Sequence, residues 1–312
     1  MSNSIMEGEQ ELGGDRRQSF EIENNASELT LSTSRYMALT CGLGGLQVVW
    51  ATIFSNGTPF MLSLGLPERM TSVVWAAAPV CGCFGQIYVG WLSDQCRHRW
   101  GRRRPFIAVG AAVITVSLIT LAWSSVLALW ITRLYFWDLS LTTAANSLTP
   151  TIAVISFWIL SLGIQPLQCG LRALVLDVCS PQQQSATNIW AIRFIGVGNI
   201  LGCSAGTFGI PGLNFDMTAR FRLLSVLSFL AVDITAAITC LSIRETRAAA
   251  HGPPKAYSLL VVTRDLITTY LKLSKRSRQI LLVQFISWLS WFGFLFYTSS
   301  YVGNLCELAA SV

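Results

Sequence analysis

Long apolar runs alternate with short charged breaks along this chain. Seven runs stand out, at about 36–63, 71–93, 105–130, 150–179, 185–209, 221–243 and 279–303. Each is near or above the roughly 20 residues an α-helix needs to cross a bilayer. No segment alternates in and out with the period of a membrane β-barrel, so that architecture is excluded. The first and fourth runs are long and contain Pro59 and Pro166, which predicts tilting or a break. Residues 1–35 hold no apolar stretch able to bury itself and read as a disordered tail. That tail lacks the basic start and apolar centre of a signal peptide. The organisation predicted is this tail, a six-helix bundle over 36–243, a basic loop over 244–278, a seventh helix over 279–303 and a short tail over 304–312. Within the loop, residues 259–273 predict a short surface helix beside its lysines.

Composition sharpens the class. Hydrophobic residues make up 52% of the chain and charged residues 12%, against about 25% charged in soluble domains. Mean hydropathy is +0.52. The net charge of +6 could suggest nucleic acid. The basic residues lie mainly between apolar runs, however, where they orient helices. Arg97, Arg99, Arg102, Arg103 and Arg104 follow the second run, and a second basic group follows the sixth. Alternate breaks hold only Arg69, Arg133, Arg220 and Arg222. The positive-inside rule then places the N-terminus in the cytoplasm. The nine cysteines lie almost all in apolar runs without metal-ligand spacing, and read as small packing residues. Gly198, Gly202 and Gly206 repeat at four-residue spacing on one face of the fifth run, which predicts close helix packing.

Four ionisable residues fall inside the runs: Arg172, Asp177, Arg193 and Asp233. Facing lipid alone, each would cost about 3 kcal/mol at a helix centre. At about 100° per residue, Gln165, Gln168 and Arg172 share one face of the fourth helix, and Asp177 points elsewhere. The short turn at 180–184 makes the fourth and fifth helices neighbours, which predicts an Asp177–Arg193 pair. Such a pair either locks two helices or serves as a proton site. The neighbours of Asp233 in sequence offer it no partner. Gln47 and Trp50 share a face of the first helix, and Asn188 and Asn199 share one of the fifth. The second helix has Gln86, and the seventh has Gln284, Trp288, Trp291 and Tyr297. Amides donate and accept together, which suits hydroxyl-rich ligands. Indoles cover the apolar face of a sugar ring. The same residues also serve as helix glue and interfacial anchors.

Gly90-x-x-x-Asp94 followed by Gly101, Arg102 and Arg103 resembles the signature loop of the major facilitator superfamily. Six residues separate Asp94 from Gly101. With the run RWGRRRPFI at 99–107, this insertion resembles the sucrose transporter branch, related to the glycoside–pentoside–hexuronide cation symporters. The blocks GLQVVW at 45–50, SNGTP at 55–59, RALVLD at 172–177, GVGNILG at 196–202 and the seventh run resemble fungal members in the expected order. Gly293 stands where the family leads one to expect proline, and Asn304 where it leads one to expect an acidic residue.

The resemblance implies an all-α membrane protein: the N-terminal six-helix bundle of a twelve-helix carrier plus helix 7, with helices 8–12 absent. It implies proton-coupled symport of sucrose or a maltose-like disaccharide, with H+ as coupling ion and no other cofactor, in the plasma membrane rather than the vacuolar one. Asp177 becomes the proton acceptor and Arg193 its counter-charge. Asp94, Gly101, Arg102 and Arg103 become the cytoplasmic gate loop. Gln47, Trp50, Gln86, Gln168, Arg172, Asn199, Gln284 and Trp288 become candidate sugar contacts. A chain of this length supplies one wall of the cavity, so it is expected not to transport alone unless a second chain supplies the other bundle. The alternatives are a non-transporting membrane subunit and a seven-helix receptor, whose N-terminus would lie outside. His98 and His251 both fall in loops, which leaves no metal or Ser/His/Asp constellation in the runs and argues against an enzyme.

Overall fold

The computed structural model describes residues 32–135, 141–207, 216–243, 245 and 259–310. The described residues form helices, several of them joined by short turns, as at 64–67, 96–103 and 179–183. They are α1 (Thr33–Ser63), α2 (Glu68–Gln95), α3 (Arg104–Ala122), α4 (Ser124–Tyr135), α5 (Leu141–Val178), α6 (Gln184–Thr207), α7 (Met217–Ser242), α8 (Leu259–Lys272) and α9 (Lys275–Ala310). Five of them (α1, α2, α3, α5 and α7) are long and apolar enough to cross a membrane. The fifth and seventh predicted spans, α6 and α9, have sufficient length but are not among these five. The tail at 1–31 and the loop segment at 246–258 lie outside the described residues.

α1 is the central element. It packs against α6, α7 and α5, while α3 packs between α5 and α7 and α2 lies on α5. Leu39, Val49, Ile53, Phe60, Ile114 and Leu160 are almost wholly enclosed. Phe60 stacks on Phe221 with ring centroids 3.9 Å apart. Outward faces carry exposed Val109, Val116, Ile155, Ile159, Leu227 and Leu230. That inversion of the soluble pattern fits a hydrocarbon solvent.

Glycines set the closest contacts, as the four-residue spacing predicts. A Cβ on Gly198 would meet the Gly44 carbonyl at 2.4 Å, and one on Gly202 would meet the Ala51 Cβ at 2.5 Å. Without side chains there, the α1 and α6 backbones touch. Gly110 and Gly163 do the same for α3 and α5.

Several features differ from expectation, among them the start of α5 at Leu141, nine residues before the predicted 150. α1 and α5 run through Pro59 and Pro166 without a break. The third span divides at Trp123 into α3 and α4. There Arg222, from the first turns of α7, donates through Nε to the Ala122 carbonyl at 3.2 Å and lies over the Trp123 ring. This satisfies one carbonyl that the end of α3 leaves free. Finally, α9 extends through most of the 304–312 segment expected to be a tail, because neither Pro nor a cluster of turn residues stops it.

Candidate functional site

Three helix ends meet at one end of the bundle, the end of α2, the start of α3 and the end of α5, together with Glu245, three positions past the end of α7. The polar groups of the signature loop lie among them. Arg103 is the centre. Its Nε donates to Asp177 Oδ2 at 2.8 Å, Nη2 reaches Asp94 at 2.5 Å, and Nη1 donates to Ser93 Oγ. Arg102 Nη2 donates to the same Asp177 oxygen at 2.8 Å. The Arg103 side chain is only 8% exposed, whereas Asp94 is 57% and Asp177 29% exposed. Burial works against the Arg103 charge, but hydrogen bonds and attraction from Asp177, then Asp94, outweigh it and raise its pKa above the ordinary arginine value.

Glu245 organises the backbone of this loop. Its carboxylate accepts from the N–H of Arg102 at 2.5 Å, of Arg103 at 3.1 Å and of Arg104 at 3.0 Å. These donors open α3, where no intrahelical acceptor exists, and the helix dipole favours an anion. Pro105, one residue further, has no N–H to satisfy. Gly101 turns the chain with φ +120°, and a Cβ there would meet the Glu245 carboxyl carbon at 2.7 Å. Glycine is required on both counts.

The expected Asp177–Arg193 pair is therefore corrected. The loop folds back over the end of α5, so Arg102 and Arg103 reach Asp177 first. Arg193 stands two turns into α6, exposed, with its guanidinium 4.7 Å from the centre of the Trp190 ring. Glu245 was not singled out from the sequence. The signal available was an acidic residue just past the sixth apolar run, in register to meet the start of the third.

A second grouping lies along the membrane. Gln47 Nε2 on α1 donates to Asn199 Oδ1 on α6 at 2.8 Å. Trp50, one turn on from Gln47, stacks on Phe54 with ring centroids 5.1 Å apart, and Phe54 stacks in turn on Trp75 of α2. Trp75 Nε1 donates to Thr58 Oγ1 at 3.0 Å. Gln47 and Trp50 are half-buried and Asn199 is exposed, so the pair keeps accessible polar atoms.

The other expected sugar contacts are spread along different seams. Gln86 on α2 is exposed, and Gln168 on α5 is half-buried beside Cys169, whose Sγ is 3.9 Å from the Gln86 carbonyl. Arg172 is exposed one turn further along α5. Gln284 and Trp288 are exposed on α9, which leans on the core through Phe292 and Leu295. Gln165, on the same face as Gln168 and Arg172, is buried instead. It fills a notch at Gly85 and donates to the Ser161 carbonyl at 2.9 Å. Asp233 finds a partner that its sequence neighbours could not reveal: Thr115 Oγ1 of α3 donates to its Oδ2 at 2.9 Å.

Residues 40–158 match the family described as MFS/sugar transport protein. The general alpha-glucoside permease of Schizosaccharomyces pombe is 32% identical over 295 residues, covering 91% of this chain and 52% of the permease. A sucrose transport protein of Oryza sativa subsp. japonica is 29% identical, covering 84% of this chain and 53% of that protein. A sucrose transport protein of Arabidopsis thaliana is 32% identical over 188 residues, 60% of this chain. The chain spans about half the length of the first two relatives. Five helices long and apolar enough to cross a membrane, together with these matches, define an integral, multi-pass membrane protein. Within that class, the chain is similar to the MFS/sugar transport family over residues 40–158 and, over longer stretches, to proteins named as α-glucoside permease and sucrose transport proteins.

Proposed function

We propose that this chain forms the first-bundle wall of a proton-coupled symporter for sucrose or a related α-glucoside. The observation that carries the reading is the Gln47–Asn199 amide pair beside Trp50. It joins two helices at their closest seam and offers hydroxyl-matching groups next to a flat ring. The relatives named as α-glucoside and sucrose carriers support the substrate class. The arginine-rich end is cytoplasmic, which puts the N-terminus inside, in the plasma membrane. Proton coupling acts at Asp177. A proton on its carboxyl removes the anion shared by Arg102 and Arg103, and so frees the loop from α5. Arg193 stands outside that exchange, over Trp190.

The test is equilibrium binding of radiolabelled sucrose and maltose to the 312-residue chain in nanodiscs. Displaceable binding that Gln47→Leu or Asn199→Leu weakens by about tenfold, the scale of one lost polar contact, supports the reading. Binding that is absent, or indifferent to both substitutions, defeats it. In cells without their own disaccharide carrier, these 312 residues expressed alone produce no uptake, because one wall does not enclose a cavity.

A further inference from the structure

α8 and the start of α9 carry a feature that sugar binding does not use. Ile267, Tyr270 and Leu271 recur at helical spacing and are 57%, 46% and 63% exposed. At about 100° per residue they share one stripe, and Arg264, Thr268 and Lys272 form a second stripe roughly 105° round the helix. All six are exposed. From 259 to 278 the sequence holds Arg264, Lys272, Lys275, Arg276 and Arg278 against a single acid, Asp265.

The junction fixes where this surface lies. Only Leu273 and Ser274 separate α8 from α9, so Lys272 and Lys275 are within about 11 Å. The link is ordered: Leu273 N–H donates to the Tyr270 carbonyl at 3.2 Å, and Ser274 caps α9 through its carbonyl to Arg278 N–H at 3.1 Å and its Oγ to Ser277 N–H at 3.2 Å. If α9 crosses the bilayer from its basic end, the end of α8 is held at headgroup level. A helix tethered there with an exposed apolar stripe beside a basic stripe has the form of an interfacial helix.

We infer that α8 lies on the cytoplasmic membrane surface as an anionic-lipid contact, with Ile267, Tyr270 and Leu271 in the acyl boundary and Lys272, Lys275 and Arg276 on lipid phosphates and carboxylates. This rests on the membrane reading of α9 and not on the sugar, so sugar binding measured on the same preparation separates the two failures. A neutral surface would satisfy the apolar stripe alone. The five-to-one basic excess selects anionic lipid, at about fivefold per basic residue near the surface.

The experiment places the photoreactive amino acid benzoylphenylalanine at Tyr270 of the full chain in nanodiscs of phosphatidylcholine with or without phosphatidylserine. Adducts are identified by mass spectrometry. The expected result is adducts to lipid, with phosphatidylserine enriched several-fold over its mole share. Combined Lys272→Gln, Lys275→Gln and Arg276→Gln lowers that enrichment, and the corresponding changes to Glu turn it into exclusion. Adducts to this chain, to a second copy or to another protein overturn the proposal. So does enrichment equal to mole share, or enrichment indifferent to charge reversal. Both charge series leave the apolar stripe intact, and a retained lipid adduct shows that α8 is still formed and seated.

Discussion

Removing the Glu245 carboxylate tests the organisation of the charged end most directly. In Glu245→Ala, three N–H donors at the start of α3 lose their common acceptor. A hydrogen bond to a charged group contributes about 1.5–3 kcal/mol, and an N-cap alone about 1 kcal/mol. The carboxylate is only half-buried, so water replaces part of what is lost and the three bonds do not sum. A net local loss of roughly 2–3 kcal/mol follows, which is about 30- to 150-fold in an opening equilibrium. Amide hydrogen exchange of residues 102–104 in detergent or nanodiscs reads that factor. Glu245→Gln keeps one acceptor oxygen without the charge, and about a tenfold increase is expected. Exchange at 102–104 that stays within twofold of the parent in Glu245→Ala would refute the reasoning. Exchange at mid-α3 amides such as Ile114 serves as the internal control, since the effect of a helix-end anion fades within a turn.

Asp177→Asn strips Arg103 of its better-shielded partner; with Asp177 about a third exposed, the cost is about 1–3 kcal/mol rather than the full cost of a buried pair. A double-mutant cycle in thermal unfolding should show coupling of Asp177 with Arg103 and additivity with Arg193 within about 0.5 kcal/mol; coupling to Arg193 instead would restore the pair expected from sequence. Gly202→Leu forces α1 and α6 apart and should destabilise the bundle by about 1–3 kcal/mol, whereas Gly293→Ala on α9, where a Cβ meets nothing within 4 Å, should be tolerated. Thr115→Val should lower stability by about 1–2 kcal/mol by leaving Asp233 without its hydroxyl donor, while Thr115→Ser should not; equal melting of the two variants would deny that bond a role.

The helical character and rough position of the apolar runs were legible because hydrophobic runs of this length have few other solutions, but the split at Trp123 and the outer ends of α5 and α9 were not. The glycine seam was legible for a similar reason, since four-residue spacing fixes a face. Side-chain partnerships across helices were not. Asp177 and Arg193 are close in sequence and joined by a short turn, yet residues some 75 positions away supply the partners. Nor does the short turn at 180–184 make α5 and α6 packed neighbours: α6 packs chiefly on α1, and α5 on α3 and α2. Glu245 and Thr115 escaped for the same reason: each acts on a residue more than 100 positions distant. Gln165 shows the converse limit. Spacing puts it on one polar stripe with Gln168 and Arg172, but Gly82 and Gly85 of α2 let that one amide sink into the seam while Gln168 and Arg172 stay outside.

The two groupings are linked mechanically through α5 and α1. Asp177 sits at the end of α5, and Gln168 is nine residues back, about 13 Å along the axis. Gly163, still further back, holds α5 against Val113 of α3, and Gly42 of α1 abuts Leu171 of α5. α1 in turn carries Gln47 and is locked to α6, the bearer of Asn199, by backbone contact at Gly44 and Gly198. Close-packed seams of this kind transmit displacement with little compliance. Freeing the loop from Asp177 therefore loosens the start of α3 at the charged end, while the glycine seams that hold α5 on α3 and α1 on α6 stay closed. The bundle has a charged end fastened at Asp177 and a close-packed face that carries the Gln47–Asn199 pair. Asp177→Asn should accordingly alter the exchange of amides at the start of α3 while leaving those around Gln47 and Asn199 unchanged, and equal acceleration at both places would show a bundle that loosens as a whole.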